Sequence, residues 1–548
     1  MIHTPANSRL FVRMRFYCLW LLLIGVWAVL LPITRDEAYY LMWAKKPALG
    51  YFDHPPFIAW LLANFSQIWG AKIFHFRLGN IFCAALVALV IGRIIRRCQC
   101  NINQSQNGLY LTLGNFGLMG IALLSTPDTP MLLFWSLALY EGLIATTAQP
   151  KRWLLAGLYC GFGLLAKYTM VLMAPVYFLA ILKARQLKTV WPYLGGLIAL
   201  LIFSPNIYWN SQNSWASMGF QLRHGMGHVA PKSVTNSLPT PTTSANNSFD
   251  SFRTPTLDDR ETKKTPTLDE VTNKVGVSYF SGTLWRIFAA ILGSFGFLTG
   301  QLLYFGFLLF PLAFALWQPN QRPSFTLKTP PIIMFSTIVP LCFFGTISIF
   351  SKVEANWPAM YLVGALVLAA TRLQLTGSSL RLAAWANFTL TTVGVLHANF
   401  SILPLMPKDR ILEETHGFFA LAQHYKSKKK PLLVESYQLT SMVNYYAETM
   451  IAEQYPGIAR DSELTHRFAS WDQKSLRQKG DFYLLTQQPN ILHIEGFIVK
   501  EHHRIQDCIQ GSLLFQSHLE PAAFSCHPIH TWYETYYQAI RSDKQSGD

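Results

Sequence analysis

The sequence predicts a mainly α-helical, multi-pass membrane protein of about eleven transmembrane helices that ends in a small soluble α/β domain. Of its 548 residues, 51% are apolar and 14% are charged, whereas soluble domains carry about 25% charged residues. The net charge is +16, and many basic residues form short clusters between apolar runs, as in loops held on one side of a bilayer. Uniform disorder, a collagen-like chain and a small disulfide scaffold are excluded. Nucleic-acid binding has no supporting motif and no soluble basic domain.

The first predicted span covers Phe16–Ile33 and follows three arginines, Arg9, Arg13 and Arg15. A cleaved signal peptide would also have a basic start and an apolar centre. No small-residue cleavage site follows the run, so we expect an uncleaved anchor with its N-terminus in the cytoplasm.

Further apolar runs predict the remaining spans. The run 284–317 is too long for one span, and we expect a lipid-facing or re-entrant helix to about Gly300, followed by a span from Gln301 to Trp317. The loops on one predicted side are basic, and the other side carries the carboxylates Asp36, Glu37, Asp53, Asp128 and Glu354. The other runs lie at about 78–95, 108–125, 130–147, 153–166, 168–182, 190–208, 331–350, 357–371 and 382–400.

Two segments do not resemble membrane spans. Residues 231–274, within a long outside loop, are rich in Ser, Thr, Pro and Asn and contain Thr-Pro-Thr-Leu-Asp twice, which predicts a disordered insertion. Residues 401–548 have soluble composition and follow the membrane domain, residues 1–400. We expect strands at 431–435 and 481–485 and a helix at 439–452. Cys508 and Cys526 lie in this outside domain, where an oxidising compartment would allow a disulfide.

The first outside loop, residues 34–77, contains the strongest chemical signal. Asp36 and Glu37 stand side by side directly after the first span. A carboxylate at a membrane surface is partly desolvated, which raises its proton affinity and suits it to take a proton from a hydroxyl. We therefore take Asp36 and Glu37 as catalytic candidates. The alternative is a pair of acids that caps a surface helix.

Three motifs together resemble bacterial integral-membrane glycosyltransferases, namely the protein O-mannosyltransferase family and the aminoarabinose and galacturonic acid transferases. The motifs are the Asp36-Glu37 pair, Tyr51-Phe-Asp53-His54-Pro-Pro, and Ser-Thr-Pro-Asp128-Thr-Pro; the similarity covers about residues 30–400. The resemblance implies a GT-C fold, a polyprenyl-phosphate-linked sugar donor and inversion at the anomeric carbon. It also implies an inner-membrane enzyme with its active-site loops and C-terminal domain in the periplasm. The acceptor would be lipid A, a core sugar, another lipid or a protein.

Two positions depart from the aminoarabinose transferases. Those enzymes typically have Arg where this chain has Tyr39, and Glu-Lys where it has Asp53-His54. Both changes remove a fixed cation for the donor phosphate, so aminoarabinose specificity is not indicated, whereas His before Pro-Pro fits the wider family.

Cleavage of a sugar–phosphate bond places negative charge on the leaving phosphate, which requires cations or donors nearby. Alternatives remain for several candidates: Lys167 as a snorkelling lysine, Arg223 and His224 as a solvated loop cluster, and Asp128 as a helix N-cap. The substrate-binding candidates are Tyr39, Tyr51, Asp53, His54, Asp128, Lys167, Arg223, His224, Lys352 and Glu354.

No cofactor is firmly indicated, although a divalent metal held by Asp53 with His224 or His228 is an alternative. A flippase or transporter of a polyprenyl-linked glycan is the competing function, but the chain shows no internal repeat and its acids cluster at span ends. A non-catalytic assembly protein is a third class, and for it Asp36 and Glu37 would be dispensable.

Overall fold

The structure is a computed structural model, and its described part is mainly helical. It describes residues 5–69, 73–98, 102–225, 291–317, 329–403 and 409–539, apart from 429, 457, 469–479, 490, 495–496 and 510–526. The predicted insertion at 231–274 lies outside these residues. Cys526 does too, so the candidate disulfide with Cys508 stays a prediction.

The first four hundred residues contain sixteen labelled helices in their described part. Their bounds are α1 Pro5–Leu30, α2 Arg35–Ala44, α3 Phe57–Trp69, α4 Ile73–Arg97, α5 Ile102–Leu113, α6 Phe116–Leu123, α7 Asp128–Thr147, α8 Trp153–Ala166, α9 Met173–Lys183, α10 Trp191–Gln212, α11 Ala216–Gly225, α12 Ile291–Leu303, α13 Leu309–Trp317, α14 Pro331–Ser348, α15 Tyr361–Arg372 and α16 Gly377–Phe400.

Within the described residues, three helices are long and apolar enough to cross a membrane: α4 from His75, α7 and α14. The number rises to five if each of two sharply bent helix pairs counts as one span. By helix length and composition this part of the chain matches a membrane domain, and we use that name for residues 1–400. The total of about eleven spans stays a prediction.

Several predicted runs are broken helices. The run 108–125 divides into α5 and α6 at Asn115, whose side chain accepts a hydrogen bond from the Leu118 N–H (2.9 Å) and caps α6. The long run bends by 93° between α12 and Gly306. Asn387 stabilises this bend by accepting from the Phe307 N–H (2.8 Å) and donating to the Phe305 carbonyl (2.9 Å). The predicted break is therefore present, a few residues after Gly300.

The described elements of the C-terminal domain are α17 Arg410–Thr415, α18 Phe418–Ser427, β1 Leu432–Val434, α19 Tyr437–Ala447, β2 Ala452–Gln454, β3 Phe482–Thr486, β4 Phe497–Ile509 and β5 His527–Ala539. The five strands form a mixed sheet of order β2-β1-β3-β5-β4. The strands β1 and β3 lie where the sequence predicted them. The helix α19 ends earlier than expected, because Glu448 adopts a left-handed conformation (φ 61°) and Ala452 belongs to β2.

The first outside loop and the C-terminal domain share one hydrophobic core. Trp43 and Met42 from α2 pack in the same buried cluster as Leu439 and Met442 from α19. Each of these side chains is at least 98% buried. The helix that carries Asp36 and Glu37 therefore lies between the membrane domain and the C-terminal domain.

Candidate active site

A sharp corner between α1 and α2 positions the two adjacent acids. The helices meet at 88°, and Thr34 begins α2 with a capping box: its hydroxyl accepts from the Glu37 N–H (3.5 Å), and Glu37 accepts from the Thr34 N–H (3.2 Å). Asp36 and Glu37 therefore lie in the first turn of α2, where the helix dipole favours negative charge.

Glu37 is fully buried and its carboxylate is occupied. Arg77 on α4 donates to both of its oxygens, from Nε (2.8 Å) and Nη2 (2.6 Å), and the Ser125 N–H donates a further bond (2.9 Å). Arg77 also donates to the carbonyls of Ala28, Leu31 and Pro32, at the end of α1. This geometry favours a structural role for Glu37 over a catalytic one.

Asp36, by contrast, is exposed to solvent. Its Oδ1 accepts a hydrogen bond from Gln438 Nε2 (2.9 Å) on α19. Desolvation by the surrounding protein raises the pKa of Asp36, and the Gln438 hydrogen bond opposes this effect. An exposed carboxylate with a raised pKa suits a general base that a substrate hydroxyl can reach.

Asp53 is buried and joins the two domains. It accepts hydrogen bonds from the Tyr39 hydroxyl, from Arg460 Nη1 (2.5 Å) and from the Glu463 N–H (3.3 Å). Arg460 and Glu463 belong to the C-terminal domain. Tyr51, in the same loop, stacks on Trp43 of α2 with ring centroids 4.5 Å apart.

His54 follows Asp53 and is half-buried. Its Nδ1 lies 3.5 Å from the side-chain amide of Gln221 on α11, and Gln221 also donates to the Asp53 carbonyl (2.5 Å). The outer-loop helix α11 therefore borders the Asp53-His54 segment.

Asp128 and Lys167 form a buried ion pair (2.6 Å), and Asn356 donates to the same carboxylate (3.1 Å). The N-cap of α7 is Pro127, and no side-chain capping bond forms there. The capping interpretation of Asp128 is therefore wrong. The snorkelling interpretation of Lys167 is also wrong, because its side chain turns inward and is 9% exposed.

The other cationic candidates lie at more open positions. Lys352 pairs with Glu354 (2.8 Å), and their side chains are 78% and 44% exposed. Arg223 on α11 is also exposed. The His224 side chain and His228 lie outside the described residues. Within the described part of the chain no group of three or more His, Cys, Asp or Glu side chains could hold a metal, so a metal on Asp53 with either histidine stays a hypothesis.

Three of the predicted acids act electrostatically on one buried tyrosine, Tyr40. Burial raises the pKa of Tyr40, and the charges of Asp36, Asp53 and Asp128 raise it further. These carboxylates come from three separate motifs of the sequence.

The sequence reasoning missed the contribution of the C-terminal domain. Gln438 contacts Asp36, and Arg460 contacts Asp53, from positions about four hundred residues away. Neither residue stands in a motif, so no local pattern could have indicated it. Arg77 was also missed, although an arginine inside an apolar run is a signal of a buried partner.

The comparisons agree with this architecture. Residues 53–209 match the sequence model of the dolichyl-phosphate-mannose-protein mannosyltransferase family. A lipid A galacturonosyltransferase of Rhizobium johnstonii is 28% identical over 213 residues, which cover 36% of this chain and 44% of that protein. An undecaprenyl phosphate-alpha-4-amino-4-deoxy-L-arabinose arabinosyl transferase of Sodalis glossinidius is 28% identical over 30% of this chain and 31% of its own length. The chain thus matches less than half the length of either relative.

Solved structures extend the similarity to the whole fold. The crystal structure of ArnT from Cupriavidus metallidurans in the apo state superposes with a TM-score of 0.55 at 14% identity and covers 88% of this chain and 94% of that one. The same protein bound to undecaprenyl phosphate gives a TM-score of 0.55 at 13% identity, with coverage of 98% and 99%. The resemblance to GT-C glycosyltransferases that the motifs predict is confirmed.

Proposed function

We propose that this chain is an inverting glycosyltransferase that moves a sugar from a polyprenyl-phosphate donor to an envelope glycolipid. The observation that carries the proposal is Asp36, an open carboxylate with a raised pKa at the corner between the membrane and C-terminal domains. The relatives support the reaction class, since one transfers galacturonic acid to lipid A and the ArnT structure holds undecaprenyl phosphate.

In this mechanism Asp36 takes the proton from the acceptor hydroxyl. The oxygen attacks the anomeric carbon of the donor as the bond from that carbon to the phosphate oxygen breaks, and polyprenyl phosphate leaves with the bonding electrons. A single displacement inverts the anomeric centre. The raised pKa of Asp36 suits this role, because a stronger base takes a proton from a hydroxyl more readily.

The neighbouring groups would bind and orient the substrates. His54 is half-buried beside Asp53, and its imidazole is a side chain of the type that donates hydrogen bonds to phosphate. The Asp128–Lys167 pair with Asn356 forms a rigid polar cluster suited to orient substrate hydroxyls. A lipid-linked donor and a glycolipid acceptor both fit a site at the end of a membrane domain. The basic loops predicted on the opposite side favour the periplasmic face of the inner membrane for this site.

The test is the Asp36→Asn variant, which keeps size and hydrogen bonding but removes the proton acceptor. Transfer from polyprenyl-phosphate-linked galacturonic acid or aminoarabinose to lipid A should fall about 10²- to 10⁴-fold. Binding of undecaprenyl phosphate should change little. Asp461→Asn is the matched control, because it makes the same substitution at an exposed aspartate. Asp461 contacts Arg460 through its backbone carbonyl, which the substitution leaves in place.

Turnover by Asp36→Asn near the wild-type rate would contradict the assignment and favour a transporter or an assembly protein, since neither needs a base at this position.

A further inference from the structure

Arg460 belongs to the C-terminal domain but reaches the first outside loop. It lies after β2, and its Nη1 donates to Asp53 Oδ1 (2.5 Å) and to the Asp461 carbonyl (3.1 Å). The guanidinium lies over the ring of Tyr437 (4.2 Å to the centroid) and near that of Phe220 (5.0 Å). A cation is therefore held between two aromatic rings at the junction of the two domains.

The described residues do not use every donor of the guanidinium. Arginine carries five N–H donors in a planar fork. Nη1 donates to Asp53 and to the Asp461 carbonyl, and the Tyr437 side chain takes a further hydrogen bond. These three bonds leave two donors, and the side chain stays 26% exposed, so a further anionic group can bind from the open side.

The other cations near the site are less suited to that task. Lys167 is buried against Asp128, and Arg77 is buried against Glu37. Lys352 stands well exposed beside Glu354. Arg460, by contrast, interacts with two of the candidate acids. Its charge lowers the pKa of Asp36, and its guanidinium forms an ion pair with Asp53.

We propose that Arg460 binds the phosphate of the lipid-linked donor, so that the C-terminal domain completes the active site of the membrane domain. This inference rests on the proposed glycosyl transfer. An arginine fork matches the oxygens of a phosphate and offsets the charge that develops on it as the sugar leaves. Asp53 holds the guanidinium through Nη1, and the remaining donors would bind the lipid phosphate.

The competing explanation is that Arg460 only fastens the two domains together through Asp53. A direct test measures the affinity of the full-length protein in detergent for undecaprenyl phosphate, which carries no sugar, so transfer activity is not needed. Arg460→Gln should weaken binding about 10- to 100-fold, the range for loss of a hydrogen bond to a charged group. Arg460→Lys should lose less affinity for undecaprenyl phosphate than Arg460→Gln, because lysine keeps the positive charge although it lacks the planar guanidinium.

Two further variants separate phosphate binding from fastening. Arg35→Gln is the matched control. Arg35 joins α2 to the C-terminal domain through Glu414 (2.9 Å), and the variant loses the same single positive charge as Arg460→Gln. The affinity of Arg35→Gln for undecaprenyl phosphate should stay within about twofold of wild type. Asp53→Asn keeps a side-chain oxygen that can accept from Arg460 Nη1 and removes the negative charge that competes for the guanidinium. This variant should therefore bind undecaprenyl phosphate at least as tightly as wild type.

Wild-type affinity in Arg460→Gln would overturn the proposal, as would Asp53→Asn weakening the affinity as much as Arg460→Gln. If binding follows our expectation but no donor supports transfer, the phosphate site stands and the proposed transfer fails. Thermal unfolding of each variant in the same detergent identifies any that misfold, and Arg460→Lys then carries the test.

Discussion

Adjacent residues in the first turn of α2 have opposite environments. Successive side chains on a helix point about 100° apart, so Glu37 faces Arg77 in the membrane domain while Asp36 faces Gln438 in the C-terminal domain. The sequence indicates that this pair is important, but it does not show which acid is buried. That depends on the partners, which come from distant parts of the chain.

At the same scale, Gln438 should tune the pKa of Asp36. Its hydrogen bond lowers that pKa, against the larger effect of desolvation, which raises it. Gln438→Leu should therefore raise the pKa of Asp36 further. Since the base acts when ionised, activity is lost as pH falls through this pKa, and the acidic limb of kcat/KM should move to higher pH.

The pH–rate profiles of wild type, Gln438→Leu and Gln423→Leu provide the measurement. Gln423 on α18 is the control, because its amide donates to the Tyr446 carbonyl (3.3 Å) on the same domain. An acidic limb that stays in place or moves to lower pH in Gln438→Leu would show that the hydrogen bond does not act on the catalytic base.

At the scale of elements, one arginine stabilises the bend between α1 and α2 that positions Asp36. Arg77 binds three carbonyls at the end of α1 and the carboxylate of Glu37 in α2, and both side chains of the ion pair are fully buried. Removal of one partner from a buried ion pair typically costs about 3–5 kcal/mol, because the other charge is left without compensation.

Glu37→Gln should therefore lower the free energy of unfolding by about 3–5 kcal/mol, whereas Asp36→Asn should change it little because Asp36 is exposed. Thermal unfolding in detergent compares the two variants, which differ by one position in the chain. Equal stability of both would show that the buried pair does not hold the corner.

The helices could be predicted from hydrophobic runs. Some of the breaks within these runs and some strands of the sheet could not. Asn115 and Asn387 interrupt apolar runs through caps and cross-chain contacts that run length does not show. The hairpin of β4 and β5 was missed because β4 carries a cluster of charged residues and lies at the sheet edge, where backbone pairing with β5 holds it.

For the whole molecule, the candidate site depends on contacts between distant segments. The sequence predicts that Asp36, Asp53 and Asp128 share one side, from the alternation of spans and charge. It does not predict the C-terminal residues that complete the site, because Gln438 and Arg460 approach only after α19 packs on α2. At this junction the described residues of both units contribute to one hydrophobic core.

The same alternation predicts the topology of the chain in the membrane. The motif loops should face the periplasm with the C-terminal domain, while Arg96 and Lys151 should face the cytoplasm. Asp128 is too buried to report on this, with 5% of its side chain exposed, but Lys352 is 78% exposed and Lys151 is also exposed. The reporters are therefore Lys352→Cys and Lys151→Cys, each in a chain without its native cysteines.

A membrane-impermeant maleimide applied to intact cells whose outer membrane has been made permeable should label Lys352→Cys and not Lys151→Cys. Permeabilising the inner membrane should then allow both to react, which controls for accessibility. If only Lys151→Cys were labelled in intact cells, the orientation of the chain in the membrane would be the reverse of the predicted one. Asp36 would then face the cytoplasm. Because Asp36 and Asp53 both contact the C-terminal domain, all three would lie on that side together.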